Sequence, residues 1–168
     1  MLKLKLFSRF WTLVVIAVLL LVSCGGEKES KQNNPLDFTL NDLNGKKYTL
    51  NEQKSKVVII DFWATWCHPC LQSIPIFNLM YSKYKDQEVL ILGVGLDNEE
   101  KLRKFVKHYK IDYPVLIGNQ EVAGKYGVQA IPTTCIIDKS GNLAKKHIGL
   151  APGMQEMLEK EIQLLIKK

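Results

Sequence analysis

Two apolar runs limit what this chain can fold into. Val57-Val58-Ile59-Ile60-Asp61-Phe62-Trp63-Ala64 and Val89-Leu90-Ile91-Leu92-Gly93-Val94-Gly95-Leu96 are almost continuously apolar. A half-exposed strand alternates, so both read as strands covered on two faces. Such strands need helices above and below, and the rest of the chain supplies them. A helix is expected from about Cys67 to Tyr84, kinked at Pro75. Asn98 can cap a second, in which Leu102, Phe105, Val106 and Tyr109 form a stripe facing the core. Glu121 to Tyr126 is a brief helix stopped by Gly127, and Met154 to Ile166 closes the chain as an amphipathic helix.

The remaining strand signals are shorter. Asp37 to Leu43 and Lys47 to Leu50 read as a hairpin around Asn44-Gly45, and Pro114 to Ile117 as a short strand. Thr133 to Ile137 and Leu143 to Ile148 read as an antiparallel pair across Lys139-Ser140-Gly141-Asn142. The expected class is α/β, one sheet with helices on both faces.

Directly after the first apolar run comes Trp66-Cys67-His68-Pro69-Cys70. Residues three apart are neighbours on a helix, so the two thiols can close a disulfide with little backbone distortion. Cys67 falls where a helix begins, and the unpaired N–H groups and positive dipole end there favour the thiolate, the form that attacks disulfides. Two other uses of such a pair compete with this one. A zinc site needs further ligands, and His68, His108 and His147, the three histidines of the chain, do not form its second half. A structural disulfide over so short a loop removes little chain entropy and stabilises little. A redox role is the better reading, with no metal and no other cofactor expected.

The N-terminus indicates a compartment. Lys3, Lys5 and Arg9 precede the apolar stretch Phe10 to Val22, broken only by Thr12. This is the layout of a bacterial export signal, and the stretch is shorter than the roughly 20 residues a membrane span needs. It ends in Leu21-Val22-Ser23-Cys24, which resembles the lipobox of bacterial lipoproteins. The resemblance implies cleavage after Ser23 and a lipid on Cys24; the alternative is an uncleaved anchor. Gly25 to Pro35 has no residue able to join a core and reads as a flexible tether. The expected organisation is therefore a signal peptide over 1–23, a lipid-anchored tether over 24–35 and one domain over 36–168. Three of the 23 basic residues and none of the 17 acidic ones lie in 1–23, so the remainder carries only +3. That modest balance makes no case for nucleic acid binding.

Asp61 is the one carboxyl inside the first apolar run. A carboxylate is expensive to bury, so desolvation should raise its pKa and yield a group that exchanges a proton near neutral pH. The alternative is an acid turned to solvent at an irregular strand end.

The block Val58 to Cys70, followed by Tyr126-Gly127-Val128 and Ile131-Pro132-Thr133-Thr134, resembles the thioredoxin superfamily. Within it the chain is similar to the membrane-tethered TlpA/ResA-like thiol-disulfide oxidoreductases over nearly all of 36–168. The resemblance implies a thioredoxin fold with a central mixed sheet, an N-terminal β-hairpin and an added helix-strand segment around residues 98–118. It also implies roles for single residues. Cys67 would be the exposed nucleophile and Cys70 the sheltered resolving thiol. Asp61 would accept the proton of Cys70, Trp66 would form an apolar wall beside the sulfurs, and Ile131-Pro132 would be a cis peptide whose backbone pairs with an extended substrate. Trp66 could instead be a half-buried core residue. Many members of this branch carry a glutamate three residues after the second cysteine, and often an asparagine at the position of Asp61; this chain has Ser73 and Asp61.

His68 and Pro69 lie between the thiols. A protonated His68 would favour the Cys67 thiolate and a more oxidising disulfide, or it is a surface residue of little effect. His108 and His147, near lysines, read as surface. Cys135 reads as a small core hydrophobe, with a third redox thiol as the alternative.

The expected activity is thiol-disulfide exchange with exported proteins, in the reducing direction, recharged by an integral-membrane thiol electron carrier. Two alternatives stay open. Peroxiredoxins share the fold and a Phe-x-Leu-x-x-x-x-Gly segment, here Phe38 to Gly45, but Ala64 stands where their nucleophile is usually preceded by threonine. A copper-delivery module would need a histidine ligand, His68 or His147, beside the two thiols.

Overall fold

The computed structural model describes residues 34–167. The signal segment, most of the tether and Cys24 lie outside the described residues. Strands β1 (Thr39–Asn41) and β2 (Lys47–Thr49) pair as an antiparallel hairpin. Gly45 makes the turn at φ +82°, a region that favours glycine. A 3₁₀ turn at Leu50–Gln53, not foreseen in the sequence, leads into β3 (Val57–Trp63). There follow α1 (His68–Tyr84), β4 (Val89–Gly95), α2 (Glu99–Tyr109), β5 (Val115–Ile117), α3 (Gln120–Lys125), β6 (Thr133–Ile137), β7 (Leu143–Ile148) and α4 (Met154–Ile166).

The five-stranded sheet has the order β5-β4-β3-β6-β7. β3, β4 and β5 run parallel, whereas β6 is antiparallel to β3 and to β7, so the sheet is mixed. This is the thioredoxin-like fold with its N-terminal hairpin, as the sequence led us to expect. The hairpin covers one sheet edge, where the Leu43 N–H donates to the Val115 carbonyl at 3.1 Å. The other edge, β7, carries Lys145 and Lys146, charges that discourage pairing with a further strand.

Every residue of β3 is buried, and alternate residues serve opposite cores. Val57, Ile59 and Trp63 pack with Phe77 and Met80 of α1, Leu102 and Phe105 of α2, and Leu158 and Ile162 of α4. Val58, Ile60 and Phe62 pack with Phe38 and Tyr48 of the hairpin and with Val122 and Tyr126 near α3. Each fully buried Ile, Leu or Phe side chain contributes about 1.5–3 kcal/mol, which is why the strand carrying the site is fixed from both sides.

Pro75 lies inside α1, which is continuous from His68 to Tyr84. One expectation needs refinement. In α2 the Asn98 cap holds, its side chain accepting from the Lys101 N–H at 3.0 Å, but only the first half of the stripe is sealed. Leu102 is fully buried, while Tyr109 is 40% exposed and packs at a tilt against Phe105 with centroids 4.4 Å apart.

Candidate active site

The apolar register of β3 ends at Trp63, and the chain turns through Ala64-Thr65-Trp66 into α1. That turn is pinned by Asp97, just beyond β4, whose Oδ2 accepts from both the N–H and the hydroxyl of Thr65 at 2.8 Å. Cys67 is the N-cap of α1, and its sulfur accepts from the Cys70 N–H at 3.3 Å. Pro69 stands in the first turn, where a missing N–H costs nothing.

Cys67 and Cys70 are joined by a disulfide, with Cα atoms 5.3 Å apart. The expectation of an exposed Cys67 is not met in this bonded state. Cys67 is 4% exposed and Cys70 2%, because each sulfur covers the other and both pack into the core below. The asymmetry lies in the surroundings. Cys67 is flanked by Trp66, 72% exposed, and by exposed His68 and Pro69, whereas Cys70 sits inside the first helical turn beside buried Ser73. Trp66 is therefore not a half-buried core residue. Ser73 donates its hydroxyl to the Cys70 carbonyl at 2.9 Å.

Asp61 faces the α1 side of the sheet and is 1% exposed, so it is not turned to solvent. Desolvation pushes its pKa up to about 8, against the opposing hydrogen bond from Thr134, whose hydroxyl donates to Oδ1 at 3.1 Å. Its neighbour on β4 is Gly93. A Cβ there would meet Trp63 Nε1 and Tyr113 Cε2, each at 2.8 Å. Gly93→Ala is accordingly expected to cost about 1–3 kcal/mol by overpacking; urea denaturation checks it, and an unchanged midpoint would show that the two rings yield freely.

The peptide Ile131-Pro132 is cis. The Pro132 carbonyl accepts from the Gly149 N–H at 2.7 Å, but among the described residues neither the N–H nor the C=O of Ile131 has a backbone partner. Cys135, on β6, is free and 0% exposed within the opposite core, and burial pushes its thiol up to about 11. His147 is bound to Glu161 of α4 at 2.8 Å. Among the described residues no group of three or more His, Cys, Asp or Glu side chains is placed to hold a metal ion, and no helix is long and apolar enough to cross a membrane.

The sequence reading missed Asp97, Thr65 and Thr134. The signal available for Asp97 was its place as the first charged residue after an apolar strand; nothing local marked Thr134 as the partner of Asp61.

The sequence matches the AhpC/TSA family over residues 32–146. It is 36% identical to the thiol-disulfide oxidoreductase ResA of Bacillus anthracis over 134 residues, which covers 79% of this chain and 74% of that protein. The structure is similar to that of a putative thiol:disulfide interchange protein DsbE from Chlorobium tepidum, with 33% identity, a TM-score of 0.70 and coverage of 77% of this chain and 93% of the other. It is also similar to the exposed lipoprotein thioredoxin Etrx1 of Streptococcus pneumoniae, with 31% identity, a TM-score of 0.67 and coverage of 77% and 99%.

Proposed function

Because the chain belongs to the AhpC/TSA family and is a thiol-disulfide oxidoreductase of the ResA/DsbE type, we propose that it reduces disulfides of exported proteins outside the cytoplasm. The observation that carries this reading is the Cys67–Cys70 bridge at the first turn of α1. In the reduced protein the Cys67 thiolate attacks a partner disulfide. A Cys67–partner S–S bond forms, the partner's own bond breaks, and one partner thiolate leaves. Cys70 then gives up its proton, attacks Cys67 Sγ, closes the intramolecular disulfide and expels the second partner thiolate. Two electrons pass to the partner, and an integral-membrane thiol carrier returns them.

Asp61 is the acceptor for the Cys70 proton in this scheme. Burial pushes its carboxyl up to about 8, into the range where a group exchanges protons near neutral pH. The unpaired backbone groups of Ile131 suit an extended substrate segment, and the exposed Trp66 gives it an apolar side to lie against. His68 and Pro69 set the poise of the bridge.

Location rests on the charged-then-apolar N-terminus and on Cys24 as the lipid carrier, and one similar structure is itself described as an exposed lipoprotein. The test is a Cys70→Ser variant expressed in the native host. Exported proteins are expected to accumulate as mixed disulfides on Cys67; no trapped species, together with no reduction of protein disulfides by the reduced wild type, contradicts the reading. Equilibration with glutathione tests direction, since a potential well above the roughly −180 mV of disulfide isomerases would make the protein an oxidase.

A further inference from the structure

The positive charge of the chain beyond residue 23 is gathered on one helix. Five basic residues and two acidic ones fall between Glu99 and Lys110, the span of α2 and its C-cap, which matches the whole +3 excess of residues 24–168. Glu99 and Glu100 pair with Arg103 and Lys104 along the helix. Among the described residues Lys101, Lys107 and Lys110 enter no salt bridge. Lys101, Lys104, Phe105, His108 and Tyr109 recur at helical spacing on one face of α2. Together with Thr65 they line a surface groove of about 440 Å³.

Thr65 ties this groove to the catalytic turn. It stands two residues before Cys67, and Asp97 Oδ2 accepts from its N–H and its hydroxyl, so the wall nearest the sulfurs is fixed. The floor is aromatic. Phe105, 9% exposed, lies between Trp63 and Tyr109, with ring centroids 5.0 Å and 4.4 Å away, and His108 meets Tyr109 edge-on at 4.7 Å. The exposed Lys101 and Lys104 make the rim cationic. Lys104 and Glu100 are 76% and 79% exposed, and a pair so open to water is too weak to keep Lys104 from another carboxylate.

We propose that this face of α2 docks an acidic segment of the partner protein, next to the partner's disulfide, with carboxylates on Lys101 and Lys104. This rests on the reading of the chain as a reductase of protein disulfides and names the chemistry of its partners. Two residues of extended chain span about 7 Å, so a partner segment joined to Cys67 reaches the Thr65 wall within a few residues of its own cysteine. An anionic lipid surface would also meet exposed lysines. A groove floored by Phe105 and Tyr109 beside the sulfurs suits a peptide better, because side-chain methylenes cover the rings while the carboxylates meet the ammonium groups. Such complementarity speeds encounter and selects among partners more than it adds affinity.

The test measures how fast the reduced full-length protein reduces two disulfide peptides, one with glutamates on both sides of its reactive cysteine and one with glutamines there. The glutamate peptide is expected to react about five- to tenfold faster at low salt, and the preference to shrink at high salt. Lys101→Gln/Lys104→Gln is expected to bring the ratio of the two rates to about one. Lys54→Gln/Lys56→Gln removes the same charge just before β3, at the strand end away from Cys67, and is expected to keep the preference. Equal loss in both double variants would reflect the net charge of the molecule and overturns the proposal. Vesicles of phosphatidylcholine and phosphatidylglycerol in equal parts are expected to leave the preference intact; its disappearance in their presence assigns the face to the membrane and also overturns it. If the protein reduces both peptides equally fast, only the docking role of α2 fails. If it reduces neither peptide nor any protein disulfide, the reading as a reductase fails and takes this proposal with it.

Discussion

Asp61→Asn is expected to stabilise the oxidised protein strongly at alkaline pH and to do nothing for it in acid. Desolvation raises the carboxyl's pKa from its ordinary 3.8 to about 8. Between those values the unfolded chain has lost the proton that the folded chain retains. Stability therefore falls as pH rises through the window, by about 1.4 kcal/mol per unit. Below the window both states are protonated and the penalty is absent; above it the penalty is complete, on the order of 5 kcal/mol. That is comparable with the whole stability of many domains, roughly 5–15 kcal/mol.

Asparagine fits the same space, keeps an oxygen for the Thr134 hydroxyl and has nothing to ionise. Urea denaturation at pH 5 and pH 9 checks the expectation, because in the oxidised protein Cys67 and Cys70 do not titrate. The variant should unfold at nearly the same urea concentration at both values, while the wild type should lose ground at pH 9. Equal losses in the two proteins would mean that Asp61 is ionised and solvated in the fold.

Cys67→Ser is expected to abolish turnover of protein disulfides, a fall of roughly a thousandfold or more, because the hydroxyl is far less acidic than a thiol and forms no disulfide. Cys70→Ser behaves differently. It keeps the attacking sulfur at the N-cap, so it should react once and stall as a mixed disulfide. Neither change should unfold the protein, since the bridge spans a sequence separation of only three and restrains the unfolded chain little. Turnover of a protein disulfide by each reduced variant, with thermal unfolding as control, separates loss of chemistry from loss of fold. Equal residual turnover in both variants would contradict the division of labour between the sulfurs.

The sequence made the strands legible because a residue such as Ile59 or Ile91 has few places to go in water, and a run of them must lie between two layers. It made the bridge legible because helical spacing alone brings Cys67 and Cys70 together. The supporting contacts were not legible for the opposite reason. Thr134 lies 73 residues from Asp61 and Asp97 lies 32 from Thr65, and only the strand order brings either pair into register. Tyr113 reads as one more core aromatic, and only the fold lays its ring edge over Gly93. The burial of Cys67 was misread because an open thiol was expected, while the bonded sulfurs shield each other.

The account depends on unequal sulfurs, and site-resolved alkylation of the freshly reduced protein at neutral pH measures that inequality directly. Mass spectrometry after short exposure to iodoacetamide should find Cys67 modified well ahead of Cys70, and faster than a free cysteine in solution. Labelling of Cys70 first, or of both at the rate of an ordinary thiol, would contradict it.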